Sequence, residues 1–200
     1  IPTPVPAFEL PWLDHPPGTT TDDTAMARNL IRSLVERGGL DTRDVLARQR
    51  AWFASDPPDV GAFTRRVMAL GSPDDRPVDE AARLVWEERG PEVSAGNGSV
   101  MYCAPLGVAY ARRADLLFDH APALSSVTHY DGRCRTSCLA VTLAVAGLAR
   151  GEPASKAVRS AVDAVLDREG GEELEYLVEE AGNARPVDGP DRGFCLFTAG

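Results

Sequence analysis

The sequence predicts an all-α domain, and three observations carry that prediction. Apolar residues recur at helical spacing through most of the 200 residues. Gly, Pro and Asp fall between the periodic stretches, and no period-2 alternation runs long enough for a strand. No repeat at a fixed period appears. Residues 1–200 are read as one domain.

From Asp22 to Arg37, Met26, Leu30, Ile31, Leu34 and Val35 fall on one helical face, and Gly38-Gly39 stops the helix. Asp41 caps the next stretch, with Asp44 three positions on and Val45, Leu46, Trp52 and Phe53 following. Asp59 and Gly71 bracket a third helix containing Phe63, Val67, Met68 and Leu70. Asp79 to Arg89 is a fourth, with Ala82, Val85 and Trp86 inward and Gly90-Pro91 at its end. Gly96-Asn97-Gly98-Ser99 then opens onto the apolar run Val100 to Ala111. One helix is expected from Ala114 to Val127, with Pro122 inside it, leading to Thr128-His129-Tyr130-Asp131-Gly132. From Arg133 to Arg150 almost every position is small or apolar, which marks a helix buried all round. Ser155 to Arg168 and Glu172 to Glu180 are two further amphipathic helices.

Composition narrows the function. Lys+Arg 21 against Asp+Glu 30 leaves a net charge of −9, which argues against a general nucleic-acid surface, since such surfaces gain affinity by neutralising phosphates. The longest apolar run, Leu139 to Ala149, is shorter than the roughly 18 residues a membrane span needs. The proline-rich start, Ile1 to Pro17, has no basic region of the signal-peptide kind. Cys103, Cys134, Cys138 and Cys195 have neither the density nor the pattern of a disulfide framework. Cys134 and Cys138 stand one helical turn apart and face the same way; with His129 they are conceivable metal ligands, but buried free thiols are the simpler reading. A reducing cytoplasmic compartment and a monomer are expected. Because the chain begins at Ile1 and stops at Gly200 inside the apolar stretch Phe194 to Ala199, it reads as part of a longer protein.

Three polar segments interrupt the helical text. Thr20-Thr21-Asp22-Asp23-Thr24 precedes a helix, where Thr and Asp are ordinary caps. A single cap needs one such residue, however, and adjacent carboxylates repel. A hard cation such as Mg²⁺, which takes oxygen ligands, would make the cluster favourable. Gly96-Asn97-Gly98-Ser99 enters a helix, so it is either an ordinary Asn-Gly turn or an anion site built from exposed backbone N–H groups. His129 is either a satisfied, partly buried histidine or a functional one with Asp131 in reach. The acidic pairs Asp74-Asp75, Glu87-Glu88, Glu172-Glu173 and Glu179-Glu180 suit solvated faces and loops.

Taken together and in this order, the segments resemble the ADP-ribosylglycohydrolase family, which includes the dinitrogenase-reductase-activating glycohydrolases and the ADP-ribosyl-acceptor hydrolases. Thr21-Asp22-Asp23-Thr24-Ala25-Met26-Ala27 looks like the family's first metal motif, and Gly96-Asn97-Gly98-Ser99-Val100-Met101 like its substrate loop. Thr128-His129 followed by a small-residue helix looks like its third region, and Gly182-Asn183 with Gly193-Phe194 suits the stretch before its last helices.

The resemblance implies an orthogonal multi-helix bundle around a cleft with two Mg²⁺ ions, or Mn²⁺. It implies hydrolysis of the glycosidic bond between ADP-ribose and a modified acceptor, either a protein side chain or a small molecule. Thr21, Asp22 and Asp23 are then the metal ligands, with Asp22 and Asp23 also the catalytic carboxylates. Gly96, Asn97, Gly98, Ser99 and His129 bind the ADP-ribose. A catalytically inert ADP-ribose-binding or structural relative, of the kind seen among lens crystallins, is the alternative.

The chain departs from the family pattern in three places. The late Asp-x-Asp-Thr motif is absent, as are the early Gly-Asp-Ala segment and its following glutamate, and the substrate loop runs Met101-Tyr102 where relatives often have Met-Arg. Two divalent ions bring four positive charges against the two negative ones of Asp22 and Asp23, so these 200 residues alone are expected to bind Mg²⁺ poorly and hydrolyse little.

Overall fold

The computed structural model describes residues 20–57, 59–70 and 76–183, with side chains as far as 180. Gly193-Phe194, Cys195, His15, Asp74-Asp75 and the segment Ile1 to Pro17 lie outside the described residues, as does Gly71. The described residues form nine α-helices and no strand, as the periodicity predicts. They are α1 (Asp22–Arg37), α2 (Thr42–Phe53), α3 (Ala62–Leu70), α4 (Glu80–Arg89), α5 (Val100–Ala109), α6 (Leu117–Ser126), α7 (Gly132–Ala149), α8 (Ala154–Asp163) and α9 (Gly171–Asn183).

The helix starts follow local chemistry. The Asp41 carboxylate accepts from the Arg43 and Asp44 backbone N–H groups at 3.0 Å each, and so caps α2. Asp131 does the same for α7 through Arg133 N–H at 3.0 Å. Two helices are shorter than the apolar pattern predicts. The stretch expected as one helix from Ala114 begins with a 3₁₀ turn, Ala114–Leu116, before α6, and Leu116 N–H closes it onto the Arg113 carbonyl at 3.0 Å. Likewise α8 stops at Asp163, and three-residue steps such as Arg168 N–H onto the Val165 carbonyl tighten the chain toward Gly170. Val165 stays in the core all the same.

The long helix α7 is the centre of the bundle and packs against α5, α6, α8 and α9. Small residues make this possible. At Gly107 of α5 an added Cβ would stand 2.4 Å from the Thr142 carbonyl oxygen, so only glycine lets α5 and α7 approach so closely. The main core gathers Met26, Leu30, Tyr102, Leu106, Leu124 and Leu139. A second, smaller core of Phe63, Val67, Ala81, Ala82 and Val85 joins α3 to α4. Met26, Leu30 and Leu34 are buried in α1, but Ile31 and Val35 are 46% and 77% exposed. The helix meets α2 and α5, and the apolar stripe those contacts cover is narrower than the one the sequence presents. Among the described residues no helix is long and apolar enough to cross a membrane.

Candidate functional site

The first polar segment folds into the N-terminus of α1. Thr21 occupies the cap position with an extended backbone, and Ala25 N–H bonds its carbonyl at 3.2 Å. Its side chain does not cap the helix. The Thr21 hydroxyl instead donates to Asp23 Oδ2 at 2.9 Å, which turns a capping residue into a prop for a carboxylate. Asp22 is buried; its Oδ1 accepts from Asp23 N–H at 3.1 Å and its Oδ2 from Gly61 N–H at 3.3 Å.

Burial raises the Asp22 carboxyl above its ordinary value, and the negative charges of Asp59 and Asp23 push it further in the same direction. Asp22 therefore feels the charge of its chain neighbour Asp23 and that of Asp59. The sequence marks Asp59 only as the boundary of a helix, because nothing in its neighbourhood connects it to Asp22. The link is the turn into α3, which lays Gly61 against the start of α1.

The glycine-rich segment is the turn into α5. The Asn97 carbonyl accepts from Val100 and Met101 N–H at 2.9 and 3.1 Å, while the Asn97 side chain stays exposed. Ser99 is fully buried, and its hydroxyl lies 2.9 Å from that of Ser125, turned into the core. His129 lies directly beside this turn. A Cβ on Gly98 would stand 2.5 Å from His129 Cε1, and one on Gly96 3.4 Å from Nε2, so both glycines rest on the edge of the imidazole.

His129 is itself fixed on its other sides. Its ring stacks on Phe63 with centroids 4.9 Å apart and an interplanar angle of 24°. Its Nδ1 is 3.0 Å from Thr128 Oγ1, which is 3.3 Å from the Tyr102 hydroxyl, and that hydroxyl donates to the Leu124 carbonyl at 3.4 Å. If each hydroxyl spends its single proton along this path, Thr128 is left to accept from His129 Nδ1–H, and the imidazole presents a bare Nε2 to the glycine turn. Burial lowers its pKa to about 4, which keeps the ring neutral at physiological pH.

Asp131, which the sequence places within reach of His129, turns away from it. It accepts from Trp86 Nε1 at 3.0 Å and from Arg133 Nε at 2.9 Å. Burial works to raise this carboxyl, but the Arg133 and Trp86 hydrogen bonds bring it below its ordinary value.

The start of α3 joins the two halves. Gly61 donates to Asp22, Phe63 stacks on His129, and Thr64 Oγ1 lies 3.3 Å from where a Gly98 Cβ would be. Residues 61–64 thus link Asp22 on one side to Gly98 and His129 on the other. The oxygen donors of Thr21, Asp22 and Asp23 suit a hard cation. They are few: among the described residues no three His, Cys, Asp or Glu side chains converge closely enough to hold a metal ion.

The family model for ADP-ribosylglycohydrolases matches residues 2–197. The ADP-ribosyl-[dinitrogen reductase] glycohydrolase of Rhodospirillum rubrum is 33% identical over 128 residues, 64% of this chain and 40% of its own length. Human ADP-ribosylhydrolase ARH3 is 33% identical over 138 residues, 68% of this chain and 37% of its own length. The chain therefore spans about two fifths of these curated relatives. A solved structure described as an ADP-ribosylglycohydrolase-related protein complex superposes with a TM-score of 0.62 at 30% identity, over 88% of this chain and 55% of that one. The helical bundle thus has its counterpart in a solved structure, and the chain belongs to the ADP-ribosylglycohydrolase family.

Proposed function

We propose that this chain is part of a Mg²⁺-dependent hydrolase that cleaves the glycosidic bond between ADP-ribose and a modified acceptor, reversing mono-ADP-ribosylation. The observation that carries the reading is the buried Asp22 carboxylate beside Asp23 at the start of α1, linked through Gly61 and Phe63 to His129 and the glycine turn. Burial, and after it the like charges of Asp59 and Asp23, raise the Asp22 carboxyl, and a bound cation works in the opposite direction.

Thr21, Asp22 and Asp23 are the residues that hold Mg²⁺, or Mn²⁺, with Asp59 beside them. Bound there, the ion supplies Lewis-acid polarisation of ribose oxygens and of the scissile bond. Asp22 and Asp23 keep their oxygens fixed through Gly61 N–H and the Thr21 hydroxyl. Glycoside cleavage through an oxocarbenium-like transition state needs a carboxylate to take and return a proton, and among the described residues Asp22 and Asp23, with Asp59 acting on Asp22, are the groups assigned to it. Gly96, Asn97 and Gly98 present the turn to the diphosphate at the positive end of α5, with His129 behind them and Ser99 anchoring the turn from inside. The substrate is an ADP-ribosylated protein or an ADP-ribose-containing small molecule. On this reading the protein acts as a monomer in the cytoplasm, where Cys103, Cys134 and Cys138 remain reduced thiols.

The second reading is an inert relative that only binds ADP-ribose. A panel of peptides ADP-ribosylated on arginine or serine, given to the full-length protein with Mg²⁺, separates the two. Release of ADP-ribose that disappears with EDTA and with Asp22→Asn supports the enzyme. Binding of ADP-ribose without release supports the inert relative, and full release by Asp22→Asn overturns the metal assignment.

A further inference from the structure

The two thiols set one helical turn apart on α7 both end on the glycine turn, one at each end of it. The Cys134 thiol donates to the Gly96 carbonyl at 3.2 Å, and the Cys138 thiol to Ser99 Oγ at 3.4 Å. Gly96 is half-buried, and a backbone carbonyl taken out of water is costly without a hydrogen bond. Among the described residues the backbone bonds of the turn go to Asn97 and none to Gly96.

At the other end, counting protons gives the direction of a chain of bonds. Ser125 donates to the His129 carbonyl at 3.3 Å, so it accepts from Ser99, whose own proton is then spent. Ser99 is left to accept from Cys138. The path runs from the Cys138 thiol through Ser99 and Ser125 to the backbone of His129, and such aligned bonds polarise one another. Cys134 is 3% exposed and Cys138 fully buried. Burial pushes the Cys134 thiol up to about 12, so it keeps the proton it donates.

We propose that Cys134 and Cys138 are positioning residues: their thiols fix the glycine turn in the shape it presents to ligand, without touching the ligand themselves. The inference deepens the functional reading above and rests on it for the identity of the ligand. It rests on this structure alone for the clamp.

The test uses the full-length protein and two measurements. Amide hydrogen exchange, followed by mass spectrometry, reads the turn in the ligand-free protein, and calorimetry with ADP-ribose reads binding. In Cys134→Ala a peptide covering residues 96–101 exchanges about fivefold faster, the scale of one net hydrogen bond, and ADP-ribose binds more weakly by a similar factor. Peptides from α8 do not change. Cys134→Ser, which keeps a donor, restores both readings, and Cys138→Ala shows the same pattern from the other end of the turn. Unchanged exchange in the turn for both alanine variants overturns the proposal. So does a serine variant that behaves like alanine, because packing alone would then explain the cysteine. If the turn loosens as expected but the wild-type protein binds no ADP-ribose, the clamp is supported and it is the functional reading that fails.

Discussion

The Cβ that Gly98 lacks would lie 2.5 Å from Cε1 of His129, well inside van der Waals contact. The imidazole has no room to retreat, because Phe63 stacks on its face and Thr128 holds its Nδ1. The glycine turn and the histidine therefore form one rigid unit, and the glycine there serves close approach.

Gly98→Ala should accordingly damage the site more than the fold. Forcing a methyl into this contact costs about 1–3 kcal/mol, which a thermal melt will show as a modest fall in Tm. A turn displaced by roughly 1 Å should lower kcat/KM for an ADP-ribosylated peptide by on the order of 100-fold. A Gly98→Ala protein with wild-type kinetics would mean the turn does not position substrate.

His129 should make stability depend on pH above the carboxylate range. The folded protein excludes a proton that the unfolded chain takes up below 6.5, since the buried ring titrates only at about 4. Stability is thus full above pH 6.5 and falls as the pH drops toward 4, by about 3 kcal/mol in all. Urea titrations across that window should show the slope in the wild type and its loss in His129→Gln.

Asp44 ties α1 to α2 and should act at lower pH. Arg48 Nε lies 2.6 Å from Asp44 Oδ2 and Arg37 Nη2 lies 2.7 Å from Oδ1, and the Arg48 hydrogen bond first of all holds this carboxyl below its usual range. The stabilisation is present above the ordinary value of 3.8 and is lost as the pH falls below it. Asp44→Asn should cost about 1–3 kcal/mol at neutral pH, and its melting curve should approach that of the wild type as the pH falls below 3.8.

Asp22→Asn should separate stability from activity. In EDTA, removing a buried charge that Asp59 and Asp23 repel should raise Tm by about 2–4 °C, on the order of 1 kcal/mol for a domain of this size. The rise in Tm that Mg²⁺ produces in the wild-type full-length protein should vanish. ADP-ribose release should fall by about 100-fold or more, the scale for losing a group that acts on charge at the reacting centre. A variant still stabilised by Mg²⁺ would place the ion elsewhere.

Much of this was legible in the chain because it is written locally. The caps at Asp41 and Asp131 and the small-residue run that becomes α7 each depend on a few consecutive residues. The acidic start of α1 and the glycine turn are contiguous, so their chemistry could be read before any fold was known. Other features depend on distances through space. The face that carries Ile31 and Val35 reads as core from its period, but whether a helix face is covered is decided by the neighbour that packs on it. Asp131 stands two positions from His129 and bonds Trp86 and Arg133 instead, since residues at a helix start point in different directions.

The sequence alone therefore determined the helical class, the order of the helices with most of their boundaries, and the three polar segments from which a site can be built. Only the tertiary structure decided what those segments became. It brought Asp59 to Asp22, buried the hydroxyl of Ser99, held His129 neutral beneath the glycines and set the thiols of Cys134 and Cys138 against the turn. The physical reason is that desolvation, like-charge repulsion and hydrogen-bond geometry act through distances in space, and the spacing along the chain does not record those distances.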